Sequence, residues 1–251
     1  MGGASDSMID QDGHRLRHEL KYQINFMQYR ILRQKLGAVL KLDSHAGPDG
    51  SYHIRSLYFD DFRNSAFFDK MAGVPTRKKY RMRIYNLCDD FIKFERKGKF
   101  NEYVCKESAV LTREEAERII GGDVTFLAKS DSKLLRCFYL ECRNNLLRPV
   151  VLVDYLREAY VHPVGDVRVT FDIGVRTALG PVSFFDRDTS TVTVCEEPGV
   201  ILEVKFDNVL PQIVRGLFSS GISPRSALGK FAMCRDSAGV LVPCFHCEQE
   251  E

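Results

Sequence analysis

Acidic and basic side chains alternate with apolar ones in four short segments of this 251-residue chain. In residues 79–85 (KYRMRIY), Lys79, Arg81 and Arg83 occupy every second position. Successive side chains of a β-strand point to opposite faces, so this spacing predicts a strand with one charged and one apolar face. The other segments align Lys93, Glu95 and Lys97 in 91–97, Arg168, Thr170 and Asp172 in 167–173, and Glu203 with Lys205 in 200–206.

Two interpretations fit such strands. One is a sheet whose charged face lies in water. The other is a barrel whose lumen binds a polyanion together with a metal ion. Arg and Lys dominate these faces, and each of the last three segments carries a single acid, which favours the lumen.

Arg81 and Arg83 offer the most specific spacing. Two arginines at i and i+2 project from one strand face about 7 Å apart, so their guanidinium groups match successive phosphates of one chain. A cross-strand ladder of ion pairs is the alternative.

A Glu-x-Lys pattern occurs three times in strand-like settings, as Glu19 with Lys21, Glu95 with Lys97 and Glu203 with Lys205. These pairs could be simple ion pairs. In a basic lumen, however, a few carboxylates are what Mg²⁺ or Mn²⁺ requires, because these hard ions prefer oxygen ligands and few protein groups.

Other chemistries find little support. The sequence has neither a Gx4GK[ST] phosphate loop nor a GxSxG nucleophile elbow. Asp60 and Asp61 fit an acidic turn after a strand, and the Cys244-x-x-Cys247 pair with His246 lacks a second pair of zinc ligands. The remaining histidines considered have no metal-ligand spacing: His18, His45, His53 and His162.

Composition is that of a globular domain, with 44% hydrophobic and 28% charged residues. A formal net charge of +2 argues against a nucleic-acid binder, which needs a basic excess. The N-terminal residues do not resemble a signal peptide, and no apolar run approaches the about 20 residues of a membrane span. We therefore expect a cytoplasmic protein with reduced cysteines.

The elements that position these residues follow from periodicity and turn signals. We expect tails at 1–13 and 237–251 around one domain, 14–236, of an α+β class with a barrel-like antiparallel sheet. Helix 1 is predicted to begin after Asn25, with an apolar stripe of Met27, Ile31, Leu36, Val39 and Leu40. Strands are predicted at 17–24, 51–60, 79–85, 91–97, 150–161, 167–173 and 200–206; further helices at 64–71, from Thr112 to 120, at 130–145, after Pro211 and after Ser226.

Seven motifs occur in one order along the chain: RHELKY, IRSLYFD, KYRMRIY, FERK, YLREAY, VRVTFD and ILEVK. Together they resemble the catalytic domain of the vacuolar transporter chaperone (VTC) family, the polyphosphate polymerase domain within the triphosphate tunnel metalloenzymes. The resemblance implies an eight-stranded antiparallel β-tunnel with helices packed outside. It also implies transfer of the ATP γ-phosphoryl group to inorganic polyphosphate, with a divalent metal.

Site residues follow from the resemblance position by position. It implies catalytic roles for Arg81, Arg83, Lys97, Arg157 and Arg168, and metal binding by Glu203 with Glu19 and Glu95 as supporting acids. Phosphate binding is implied for Lys21, Arg81, Arg83, Lys97, Lys106, Arg157, Arg168, Lys205 and Lys230.

The chain departs from the superfamily at two places. Arg17 replaces the first acid of the usual Glu-x-Glu-x-Lys motif, which favours long polyanions over a hydrolase with two metals. Lys230 lies in Gly-Lys-Phe where the family has Ser-Lys-Tyr. Two alternatives stay open: a tripolyphosphatase or nucleoside triphosphatase of the same fold, and a non-catalytic polyphosphate-binding module. A membrane partner is possible, but the sequence does not encode one.

Overall fold

Ten antiparallel strands form one sheet in the structure, a computed structural model that describes residues 16–101, 103–178, 184–194, 199–218 and 229–237. The alternating segments predicted from the sequence all form strands. Their bounds are β1 (Arg17–Ile24), β2 (Lys41–Leu42), β3 (Ser51–Asp60), β4 (Thr76–Tyr85), β5 (Cys88–Phe100), β6 (Tyr103–Leu111), β7 (Arg148–His162), β8 (Val167–Ala178), β9 (Thr191–Thr193) and β10 (Val200–Phe206).

Eight of these strands close into a ring in the order β7-β3-β4-β5-β6-β1-β10-β8, because β8 pairs back onto β7. The two short strands lie outside the ring, β2 on β7 and β9 on β8. Every pairing is antiparallel. The predicted eight-stranded barrel is confirmed.

Six α-helices accompany the ring in the described residues. Two of them begin where the sequence predicted, after Asn25 and Thr112, and each of these starts is a capping box. The helices are α1 (Phe26–Val39), α2 (Ser65–Met71), α3 (Arg113–Ile120), α4 (Lys133–Asn145), α5 (Gln212–Leu217) and α6 (Lys230–Ser237). In the part of the chain described, no helix is long and apolar enough to cross a bilayer.

Two apolar layers cover the outside of the ring. Alternate residues of β3, β4 and β5, such as Met82 and Phe94, pack with α3 and α4, including Phe138. On the other side, outward residues of β8 and β10 pack with α1 and α5. The apolar faces thus point outward, which leaves the charged faces to line the interior.

The predicted stripe of helix α1 is wrong at its N-terminal end. Met27 and Ile31 are 65% and 48% exposed, whereas Tyr29, Leu32 and Leu36 are buried. The buried residues follow an i, i+3, i+7 spacing that faces β8 and β10. Tyr29 fits this interface because its hydroxyl donates to Glu158 Oε1 at 2.6 Å.

Helix α6 covers one end of the barrel. Phe231, Ala232 and Cys234 are buried in a third apolar cluster with inward residues of β3 and β7, and α6 also contacts α2. Ser226, predicted to begin this last helix, lies outside the described residues. The same holds for Cys244, His246 and Cys247, and for the predicted tails at 1–13 and 237–251 with the exception of Ser237, which ends α6.

Candidate active site in the barrel lumen

The lumen is a single cavity of about 1130 Å³ lined mainly by charged side chains. All residues predicted for the site line it except Glu19, which contacts three of the lining lysines. The lining is built by alternation, since each barrel strand turns every second side chain inward.

Two carboxylates and three lysines form one cluster between β1, β10 and β5, which we call the Glu19–Glu203 cluster. Lys21 lies opposite Glu203, and Glu19 lies opposite Lys205. Lys205 Nζ is 2.5 Å from Glu203 Oε1 and 3.6 Å from Glu19 Oε2, while Lys21 bonds Glu19 and lies 3.7 Å from Glu203 Oε2. Lys97 Nζ donates to Glu19 Oε2 at 2.6 Å.

Electrostatics keep the two carboxylates of this cluster ionised. Burial and the neighbouring Glu203 oppose ionisation of Glu19, yet the surrounding lysines hold its pKa well below the ordinary range. Burial also opposes ionisation of Glu203, but Lys205 and Lys21 outweigh it and lower the pKa of Glu203. Burial lowers the pKa of Lys97 to about 7, although Glu19 acts in the opposite direction.

Arg81 and Glu95 face each other across β4 and β5. The Arg81 guanidinium donates to Glu95 Oε2 at 2.7 Å and to the Tyr58 hydroxyl at 3.0 Å, and Lys106 Nζ lies 3.3 Å from Glu95 Oε1. Burial disfavours the Glu95 carboxylate, but Arg81, Arg83 and Lys106 lower its pKa. Arg81 therefore faces the lumen, as a phosphate-binding residue would, and is also part of a cross-strand ion pair with Glu95.

Arg83 differs from its neighbour because its partners are neutral. Its guanidinium donates to Ser56 Oγ at 3.0 Å and to the Tyr155 hydroxyl at 3.1 Å. It is 5% exposed, and no carboxylate of the described residues forms an ion pair with it. A buried cation with neutral partners favours an anionic ligand.

Arg157 and Lys230 share one acid. Arg157 Nε and Nη2 donate to Asp172 Oδ1 and Oδ2 at 2.6 and 2.8 Å, and Lys230 at the start of α6 bonds Oδ2. Burial raises the pKa of Asp172, but the two cations outweigh it and the net shift is downward. The helix that closes the barrel is therefore tied to the lumen by a buried charge triad.

Arg168 and Arg17 lie toward the other end of the barrel. Arg168 bonds Asp43 and donates to the Tyr52 hydroxyl at 3.0 Å. Arg17, which replaces the expected acid, bonds the carbonyl of Asp166, and its Nε lies 3.3 Å from Asp207 Oδ1.

Glu19 and Glu203 have the donor chemistry that a hard divalent cation needs, because both side chains end in buried, ionised carboxylates beside a cavity large enough for several phosphate groups. Glu95 lies instead with Arg81 and Lys106. The three predicted carboxylates do not all converge: within the described ranges, only Cys88, Asp89 and Asp90 form a group of three with all ligand atoms within 4.8 Å.

Four residues that the structure places around the basic groups were not among the predicted site residues. Asp172 was visible on the same predicted face as Arg168, so its place in the lumen followed from alternation. Tyr58, Tyr155 and Asp43 gave no such signal, because an isolated Tyr or Asp in a strand or turn is commonly structural.

A closed antiparallel eight-stranded ring around a basic lumen defines a tunnel-fold protein. A VTC domain family model matches residues 16–238, and the chain belongs to this family. The family predicted from the seven sequence motifs is thereby confirmed.

The chain is similar to several solved structures at low sequence identity. HpAC1 from Hippeastrum, a putative adenylyl cyclase with a dominant triphosphatase activity, has a TM-score of 0.53 at 15% identity over 91% of this chain and 97% of that one. PH1819 from Pyrococcus horikoshii OT3 has a TM-score of 0.47 at 13% identity, covering 88% and 99%. The Mimivirus capping enzyme triphosphatase has a TM-score of 0.37 at 11% identity, covering 81% and 85%. No curated protein sequence matches the chain.

Proposed function

We propose that this protein is a metal-dependent polyphosphate polymerase that transfers the γ-phosphoryl group of ATP to inorganic polyphosphate. The observation that supports it best is the run of guanidinium groups in the lumen of a VTC domain, above all Arg83, which is buried and whose hydrogen-bond partners among the described residues are neutral. The general assignment to polyphosphate or triphosphate chemistry rests on the family.

In this reaction a terminal phosphate oxygen of the acceptor chain attacks the γ-phosphorus of ATP. The bond between that phosphorus and the β–γ bridging oxygen breaks, and ADP leaves with the electron pair. No protein nucleophile is required, so the chain's residues act by positioning and by stabilising charge.

The arginines hold the reacting phosphates in line. Arg81 and Arg83 project about 7 Å apart from one strand, a spacing that suits successive phosphates. Arg157 and Arg168 contact the polyanion from β7 and β8 across the lumen, and Lys97 adds charge from β5. The remaining phosphate-binding groups in the proposal are Lys21, Lys106, Lys205 and Lys230.

Glu203 would hold the divalent cation together with Glu19, and Glu95 would support the site by keeping Arg81 and Lys106 in place. When bound, the cation offsets negative charge on the phosphate oxygens. The lysines that now neutralise Glu19 and Glu203 are then available to the phosphates of the substrate.

The test is incubation with ATP and Mn²⁺ followed by gel sizing of the product and measurement of ADP. Long chains with stoichiometric ADP support the polymerase. Free phosphate without chain growth supports a triphosphatase instead, which is the activity named for HpAC1. Binding of polyphosphate without turnover supports a binding module.

Replacement of Arg81 and Arg83 by Ala addresses the residues. We expect loss of polymerase activity by roughly 100-fold or more, because two charge-assisted contacts of about 1.5–3 kcal/mol each are removed. The matched control replaces exposed Arg30 and Arg143 on α1 and α4. Since Arg83 is buried, Arg83→Lys tests the guanidinium group in a variant that keeps the charge. Unchanged synthesis in the folded double variant would refute the assignment.

A further inference from the structure

Like charges face each other at the end of β4 and β5 that lies next to α2 and α6. Arg77 is directly opposite Lys99, and Lys79 is directly opposite Lys97. The next pair along the same face is Arg81 with Glu95, which have opposite charges. Like charges directly opposite on adjacent strands destabilise a sheet, so these two pairs need an explanation.

Of these four cations, Lys97 has a carboxylate partner, Glu19 at 2.6 Å. Among the described residues, no carboxylate forms an ion pair with Arg77, Lys79 or Lys99, although Asp69 acts on Arg77 from a longer distance. The side-chain bond of Arg77 is to the carbonyl of Val74. In contrast, most other bases of the lumen have an acidic partner, as Arg81 has in Glu95 and Arg168 has in Asp43.

Lys79 lies between the Arg77–Lys99 pair and the lumen. It lines the central cavity, and its Nζ lies 4.6 Å from the ring centroid of Phe231, at the start of the helix that covers this end. Burial, followed by the charges of Lys21 and Lys97, lowers the pKa of Lys79. Burial lowers the pKa of Lys99 as well, and Arg77 and Lys21 lower it further.

We propose that Arg77, Lys79 and Lys99 form a second anion subsite, which binds the distal phosphate groups of a linear polyphosphate whose reacting end lies among the lumen arginines. This inference rests on the proposed function for the identity of its ligand. Arg77 lies four residues from Arg81, about 14 Å along the strand. A long chain can therefore contact both places at once, whereas a triphosphate held by Arg81 and Arg83 does not extend to Arg77.

Arg77→Gln, Lys79→Gln and Lys99→Gln combined in the full chain test the subsite. The matched control carries Arg30→Gln, Lys35→Gln and Lys129→Gln, three exposed bases outside the barrel. Binding of long-chain polyphosphate and of tripolyphosphate is measured for both variants and the wild type across a range of salt concentrations.

We expect affinity for the long chain to fall by roughly tenfold or more in the subsite variant, with tripolyphosphate affected less than about threefold. The slope of log affinity against log salt should decrease by about 2 for the long chain, taking the single-strand value of roughly 0.7 per phosphate contact. The control variant should match the wild type for both ligands.

Folding does not obscure the result, because relief of repulsion should raise the Tm of the ligand-free subsite variant above that of the wild type. If the folded subsite variant binds the long chain as the control does, the subsite is refuted and the proposed function is untouched. If the wild type binds no polyphosphate of either length, the proposed function itself fails.

Discussion

Strand β7 carries two buried arginine–aspartate pairs on its opposite faces. Inside the barrel, Arg157 pairs with Asp172 of β8; outside, Asp154 pairs with Arg55 of β3. Both pairs are bidentate and directly opposite in register, with Arg55 Nε and Nη2 donating to Asp154 at 2.9 and 2.8 Å. The geometry of an arginine–aspartate pair alone therefore does not show which of the two belongs to a binding site.

The difference lies in what surrounds each guanidinium group. Arg55 also donates to the carbonyls of Phe184 and Asp186, so its hydrogen-bonding capacity is used within the protein. Arg157 borders the 1130 Å³ cavity, and its partner Asp172 is shared with Lys230. A buried ion pair indicates a binding site only where an open volume and surplus cations accompany it.

The largest expected effect is a difference in stability and in polyphosphate binding between variants of Arg55 and of Arg157. Arg55→Met should lower the free energy of unfolding by about 3–5 kcal/mol, because buried Asp154 loses its guanidinium partner and, among the described residues, keeps only His53, whose Nε2 lies 3.9 Å away. Arg157→Met should cost less, since Lys230 still neutralises Asp172. Urea unfolding measures both, and polyphosphate binding should be lost only in the Arg157 variant. Equal loss of binding in both variants would contradict the distinction between the faces.

The Mn²⁺ requirement of the activity should depend on Glu203 inside the barrel and not on Asp154 outside it. Glu203→Gln should raise the Mn²⁺ concentration needed for half-maximal activity by at least the roughly 10–100-fold that loss of an outer-shell partner costs. Asp154→Asn should leave that concentration unchanged in the protein that folds. Manganese titration of activity at fixed ATP is the measurement, and an unaltered requirement in Glu203→Gln would exclude Glu203 as a ligand.

The lowered pKa values of the lumen carboxylates should make the stability of the fold depend on pH in the acidic range. A group whose pKa is lower in the folded state stabilises the fold above its unfolded pKa, and this stabilisation is lost as the pH falls. We expect the urea midpoint to fall from pH 5 to pH 3, and less steeply in Glu95→Gln. Burial raises the pKa of Asp60 at the end of β3, so Asp60→Asn should not reduce this dependence.

The smallest effect concerns the hydroxyl that orients Arg83. Tyr155→Phe removes one hydrogen bond of about 0.5–1.5 kcal/mol, so we expect KM for ATP or kcat to change by a few-fold. Tyr29→Phe on the outer face removes a bond to Glu158 and should affect stability alone. A change in KM and kcat with Tyr29→Phe would show that the two faces are coupled.

Much of the ring was predictable because its strands alternate in apolar and charged residues. Strand β6 was not predicted, because its outward face carries Glu107 and its inward face carries Lys106 between Val104 and Ser108, so neither face has an apolar pattern. Glu107 accepts from Arg96 Nε at 2.7 Å, which makes this part of the outer wall polar.

The lumen bases were predictable in identity, but their partners were less so. Alternation gives the face of Arg81, yet only the register of β4 against β5 places Glu95 opposite it. The link between Lys230 and Asp172 joins α6 to β8, two elements far apart in the chain, and no local pattern predicts such a contact.

Ring closure also constrains how this chain reaches its native state. Strand β1, the first in the sequence, is hydrogen-bonded to β6 and to β10, the last strand. Such non-local pairing slows folding, because the intervening chain must be ordered before the contact forms. On the ribosome β1 must therefore wait for nearly the whole domain to emerge, with its inward charges and unpaired edge exposed to chaperones until then.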